Sequence, residues 1–142
     1  MTTANEPANG PLALTEWIMI GLLAAVLAVA AVLAVQPLAL SSWPDIALFR
    51  PLDSYPRTVL FTFVPALIAT AVFAWLAVRR ARPVAAFLRI SIVVLLLSII
   101  PDFILPVPNR TLLASSVTAF LHIVAAVVIV LVLVTGYRRR VP

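Results

Sequence analysis

The sequence predicts an all-α protein: a four-transmembrane-helix up-down bundle with a proline-rich first extracytoplasmic loop. Three observations carry that prediction. Four apolar stretches, residues 17–35, 59–78, 84–100 and 113–135, take up most of the 142 residues. Each is close to the about 20 residues that cross a hydrocarbon core of about 30 Å at about 1.5 Å per residue. Hydrophobic residues make up 64% of the chain and charged residues 11%, whereas a soluble domain carries about 25% charged residues. The third observation is that arginines gather at the ends of these stretches. The domain plan is a disordered cytoplasmic tail (1–13), one four-helix transmembrane domain (14–137) and a basic cytoplasmic tail (138–142).

Composition excludes several kinds of chemistry. The chain has no cysteine, which removes disulfides, thiol redox chemistry and thiolate metal sites. The net charge of +5 could suit nucleic acid or anionic lipid, but its distribution reads as topology. Arg79, Arg80 and Arg82 fill the turn between spans two and three, and Arg138, Arg139 and Arg140 follow span four. Basic residues beside span ends stay cytoplasmic. Four spans put both termini and the second loop on one side. That side, with Arg89, holds seven arginines against Glu6 and Glu16, while Arg50, Arg57 and Arg110 balance Asp45, Asp53 and Asp102 on the other. The expected location is the cell (plasma) membrane, with both termini cytoplasmic. A cleaved signal peptide is not expected, because no basic residue precedes the first span.

Taken in order, the first span opens with Thr15 as helix cap, Glu16 at the positive helix end and Trp17 in the interfacial belt. Its pairs Gly21/Ala25, Ala24/Ala28 and Ala30/Ala34 have the small-xxx-small spacing that lets membrane helices approach closely. Packing within the chain is the first reading of these pairs. The first loop, residues 36–58, holds Pro37, Pro44, Pro51 and Pro56. A short interfacial helix is expected from Pro44 through Phe49, with Ile46 and Phe49 turned to lipid. The loop reads as a connector, with a lid as the second reading.

Span two contains Pro65, which removes a backbone donor and kinks a helix. Thr62, Ala66 and Thr70 share one of its faces. The turn from Arg79 to Pro83 is short enough to require an antiparallel helix pair. Arg89 can snorkel to the headgroups from span three. Pro101 is expected to stop or kink that span, with Ser91, Leu95, Ser98 and Asp102 on one stripe and a compact second loop over residues 103–110. In span four, Ser115, Thr118 and His122 form a polar stripe, and His122 is the sole histidine.

Polar stripes avoid lipid, so those of spans two, three and four are expected to face one another. The seam so formed supplies the candidate ligand-binding or proton-relay residues: His122, Thr118, Ser98, Asp102 and Thr62. Arg57, Arg110 and Asp102 are expected to form ion pairs at its mouth. The plainer reading is that His122 donates to Thr62 or Ser98 and fixes helix packing, as hydroxyls and imidazoles commonly do between membrane helices. No metal is expected, since one histidine without cysteine leaves a coordination shell incomplete. Ser115 lies about 10 Å of helix rise from His122, too far for a serine nucleophile and its base.

With Ser98-Ile99-Ile100-Pro101-Asp102 closing span three and Phe120-Leu121-His122-Ile123-Val124-Ala125 inside span four, the chain resembles a family of small four-helix bacterial membrane proteins of unknown function. The resemblance covers the membrane region and implies a compact bundle with a histidine in the last helix and a proline break after the third. Ser98, Pro101, Asp102 and His122 are the positions it carries over, and it implies no reaction. Small multidrug resistance transporters place an essential acid deep in helix one, where this chain has only Glu16 at the edge. Quinone-reducing disulfide enzymes with four-helix cores need cysteines.

The expectation is therefore a non-enzymatic, multi-pass membrane protein that binds a ligand or partner around a mid-membrane histidine. The alternative is a small oligomeric transporter or proton-linked carrier using His122 and Asp102. No cofactor and no nucleic acid are expected; the expected partners are membrane lipids and either further copies of the chain or a membrane-protein complex.

Overall fold

The structure, a computed structural model, describes residues 12–141. Most of the expected N-terminal tail, and residue 142, lie outside the described residues. Four α-helices follow one another: α1 (Leu14–Ser42), α2 (Tyr55–Arg79), α3 (Pro83–Ile104) and α4 (Leu112–Arg138). Among the described residues there is no strand. All four helices are long and apolar enough to cross a membrane. Apolar residues occupy all of their faces, so the pattern does not single out one buried side. α1 and α3 each pack against α2 and α4, and α2 also touches α4 across the bundle. The start of α1 and the end of α4 lie at one end of the bundle, here the terminal end. The first and third connections lie at the other, the distal end.

Close packing is concentrated at the terminal end. There α1 buries Gly21, Ala24, Ala25 and Ala28 within the bundle, whereas Ala30 and Ala34 face outward. A Cβ on Gly21 would stand 2.7 Å from Thr70 Cγ2, and one on Gly136 would stand 2.8 Å from Ile20 Cγ2. Small residues thus set the approach of α1 to α2 and of α4 to α1. Each helix also contributes one aromatic ring. Phe73 stacks on Phe87 at 4.4 Å and meets Trp17 edge-on at 5.5 Å, and Trp17 stacks on Tyr137 at 5.8 Å. Trp17 is therefore a core residue, not the interfacial residue its position suggests; packing against α2 and α4 outweighs the interface. Glu16 and Arg140 stand 3.6 Å apart across this end.

The helices run further than their apolar stretches. α1 passes through Pro37 to Ser42, so the first connection is shorter than expected. Loss of one backbone hydrogen bond is offset by Val35, Ala39 and Leu40 packing on the distal core and by Gln36, whose Nε2 donates to the Leu52 carbonyl at 3.1 Å. α3 likewise continues through Pro101 to Ile104. Arg110 donates to the Phe103 carbonyl, and Ser115 Oγ donates to that of Asp102 at 2.6 Å. These bonds hold the turn beyond the proline. The helix cap of α1 is Ala13, whose N–H donates to Glu16 at 2.9 Å, and Thr15 lies inside the first turn.

The short helix expected in the first connection is a 3-10 turn, Pro44–Leu48. Ile46 and Phe49 do not turn to lipid. They are buried with Leu52 against Val32, Ala114, Val117 and Leu121. Three apolar side chains can thus seal the distal ends of α1 and α4, burying more than an interfacial position would. Asn109, in the left-handed region at φ 58°, donates from Nδ2 to the Leu48 carbonyl at 3.2 Å and ties the two distal loops together.

Candidate functional site

α3 is held differently from its neighbours. Phe87, near its terminal end, is its sole fully buried residue. Its distal end is tied to α4 through Ser115. Between these two points a cavity of about 750 Å³ opens among α2, α3 and α4. From α2 it is lined by Phe61, Thr62, Pro65 and Ala69; from α3 by Ser91, Leu95, Ser98 and Asp102. α4 supplies Thr118, His122, Ala126 and Val130, and α1 contributes Val32. Arg50, Pro51 and Leu52 of the first distal loop, with Leu105 and Val107 of the second, complete the lining at the distal end.

The expected stripe of α3 survives because the helix does not stop at Pro101. Ser91, Leu95, Ser98 and Asp102 follow one another at helical spacing down a single wall. Asp102 and His122 meet across the gap between α3 and α4. His122 Nε2 stands 3.3 Å from Asp102 Oδ2. The separation suits an ion pair, yet Oδ2 is buried without an aligned hydrogen-bond donor. The imidazole is 37% exposed and the carboxylate 11% exposed.

Several of the other polar groups of the cavity are engaged, whereas the side chains of Thr62, Ser91 and Arg50 form no hydrogen bond among the described residues. Ser98 Oγ donates to the Leu95 carbonyl at 2.8 Å, Thr118 Oγ1 to that of Ala114 at 3.0 Å, and Thr58 Oγ1 to that of Ser54 at 3.2 Å. Each hydroxyl has one proton, so these three offer the cavity only lone pairs. Arg57 donates to Asp53 at 2.5 Å and to the Arg50 carbonyl.

All five sequence-derived candidates, Thr62, Ser98, Asp102, Thr118 and His122, line this one cavity. The expected ion pairs at the mouth are arranged otherwise. Asp102 faces His122, Arg57 pairs with Asp53 one turn away, and Arg110 bonds a backbone carbonyl outside the cavity lining. Each arginine is already engaged by a local partner, Asp53 for Arg57 and the Phe103 carbonyl for Arg110. His122 accordingly faces a carboxylate, not the hydroxyls of Thr62 or Ser98. Thr70 faces Gly21 of α1, outside the seam. Among the described residues no group of histidine, cysteine, aspartate and glutamate side chains could hold a metal.

Sequence reasoning missed Gln36. It is fully buried in α1, and its Oε1 has no hydrogen-bond partner. The signal was a polar residue one turn beyond Val32 on the buried face, hidden by the proline that follows it.

Four apolar helices, each long and apolar enough to cross a membrane, around a partly polar cavity define a class, an all-helical bundle. Within that class the chain belongs to the family of unknown function DUF6069, whose profile matches residues 12–139. No curated protein and no solved structure matches it.

Proposed function

We propose that the protein is a multi-pass membrane protein of the plasma membrane that binds a small, largely apolar ligand in the cavity between α2, α3 and α4. The single observation that carries this reading is the cavity itself: about 750 Å³, with apolar walls, and a His122–Asp102 pair on one side. Sites for small molecules are typically about 300–1,000 Å³ and place a few polar groups on apolar walls. A pair serving only to fix packing has no need of the open volume beside it. In the proposed orientation the terminal end is cytoplasmic, since its loop and C-terminus carry most of the arginines. The ligand reading needs no enzymatic step.

A second reading, a small carrier coupled to protons, draws support from the same pair. An imidazole beside a carboxylate can take up and release a proton within the span.

Filling the cavity tests the proposal. Ala126→Trp adds a large ring where the walls leave room. The expected result is a thermal midpoint equal to or above that of the parent protein, with loss of whatever small molecule the parent retains. Overpacking of a filled interior costs about 1–3 kcal/mol, so a clear fall in the midpoint would show that there is no such space.

A further inference from the structure

We propose that the cavity takes an elongated apolar molecule ending in one carboxylate, which enters sideways from the hydrocarbon and sets its head on Arg50. This rests on the reading of the cavity as a ligand site and adds the shape, the charge and the route of the ligand.

Shape and route follow from the walls. The lining runs from Thr58 to Ala69 on α2, from Ser91 to Asp102 on α3 and from Thr118 to Val130 on α4. At about 1.5 Å per residue these walls are about 17 Å long. That is close to the half-thickness, about 15 Å, of a hydrocarbon core of about 30 Å. The cavity is thus a slot along the helices, one leaflet deep. Its back is closed, since Thr118, Leu121 and Ile129 of α4 are buried. Its lips are open: Phe61 on α2 is 69% exposed and Val94 on α3 is 57% exposed, yet both line the slot. α2 and α3 are also the least closely packed of the four neighbouring helix pairs. In a membrane-spanning bundle the gap between these lips faces acyl chains, not water.

Charge follows from what the slot leaves unpaired. Its ionisable side chains are Arg50, Arg57, Asp102 and His122. Arg57 is held by Asp53, and Asp102 and His122 face each other at 3.3 Å. Arg50 alone has neither an ion pair nor a side-chain hydrogen bond among the described residues. It stands on the first distal loop, at the outer end of the slot, where a head can stay in water while the tail lies along the walls. A guanidinium meets a carboxylate with two parallel N–H donors. The free hydroxyls of Thr62 and Ser91 do not require a polar tail. Each can turn back to the carbonyl four residues earlier, of Thr58 and Phe87, as Thr118 does to Ala114. Pro51, Leu52, Leu105 and Val107 close over the outer end, which suits one chain with a compact head. A phospholipid would have to leave its glycerol and second chain outside.

The test uses the full chain in nanodiscs of phosphatidylcholine, which has no net charge. The probe is a para-alkyl benzoate with a diazirine in its tail, and peptide mass spectrometry maps where light attaches it. The competitors, para-dodecylbenzoate and para-dodecylbenzyl alcohol, share one tail and differ in the head. The label is expected on the slot walls, among residues 65–69, 91–95 and 126–130, and Ala126→Trp should remove it. The benzoate should displace the probe better than the alcohol does. In Arg50→Gln that preference should shrink about fivefold, and Arg50→Lys should keep most of it. Comparing proteins cancels the different entry of the two competitors into lipid, and the label map needs only the parent. An unchanged preference in Arg50→Gln would overturn the head assignment while leaving the cavity reading in place. Label confined to the outward faces at Ile92, Val93 and Leu96, and untouched by Ala126→Trp, would overturn the elongated acid altogether; the mass retained by the parent protein then judges the cavity reading separately. Displacement by phosphatidylglycerol as strong as by the benzoate would also overturn the assignment, in favour of a phospholipid chain.

Discussion

Ser115 illustrates how a single side chain positions the cavity. Its hydroxyl donates to the Asp102 carbonyl at 2.6 Å and fixes the helical turn that presents the Asp102 carboxylate to His122. Hydrogen bonds between membrane helices contribute about 0.6 kcal/mol on average and about 1.7 at most. Ser115→Ala is therefore expected to lower stability by about 1 kcal/mol, read as a small fall in the thermal midpoint. It should also loosen the distal end of α3, read as faster amide exchange at residues 101–104 than in the parent. The residue types and spacing of the cavity wall were legible in the sequence, because polar side chains inside apolar stretches have few places to go. Their partners were not. Whether Asp102 would meet His122 or an arginine depends on loop conformations that bring Asp53 to Arg57, and those leave no periodic trace. Trp17 was misread for a related reason: an aromatic near a span end suits the headgroup region and a protein core equally well.

At the level of elements, the prolines misled and the small residues did not. Pro37 and Pro101 sit inside continuous helices, because flanking contacts outweigh one missing backbone bond. Local rules see the missing donor but not the neighbours that compensate for it. Gly21, Ala24, Ala25 and Ala28, by contrast, lie buried on the face the spacing indicated. Gly21→Val is expected to push α1 from α2, since even a Cβ would meet Thr70 Cγ2 at 2.7 Å. The loss should be about 1–3 kcal/mol by thermal or denaturant unfolding in detergent. Phe73→Ala is the stronger test of the terminal-end cluster, because Phe73 touches Trp17, Phe87 and Tyr137 together. Large-to-small core changes of this kind cost about 3 kcal/mol or more. Because Phe87 is the one buried anchor of α3, the variant should also expose α3 to proteolysis near the turn at residues 80–82.

The whole molecule has a core at each end and a cavity between them on the α3 side. Glycine, alanine and a cluster of four aromatics draw the helices together at the terminal end, while α3, held at Phe87 and again at the Ser115–Asp102 bond, borders the cavity between those points. The four-helix plan was legible from hydropathy and length; the asymmetry was not, because each helix is apolar on every side and its pattern does not show which face is buried. The proposed orientation follows from the arginines. The chain has no native cysteine, so single cysteines report on it directly. Ser42→Cys should react with a membrane-impermeant maleimide on intact cells, and Ala81→Cys only after permeabilisation. The reverse pattern would invert the topology. The central claim, that the cavity holds a ligand, is tested most directly by native mass spectrometry of protein extracted gently from its own membrane. The parent protein is expected to carry a defined non-lipid mass that the Ala126→Trp variant lacks. A bare parent chain, or the same adduct on both proteins, would contradict it.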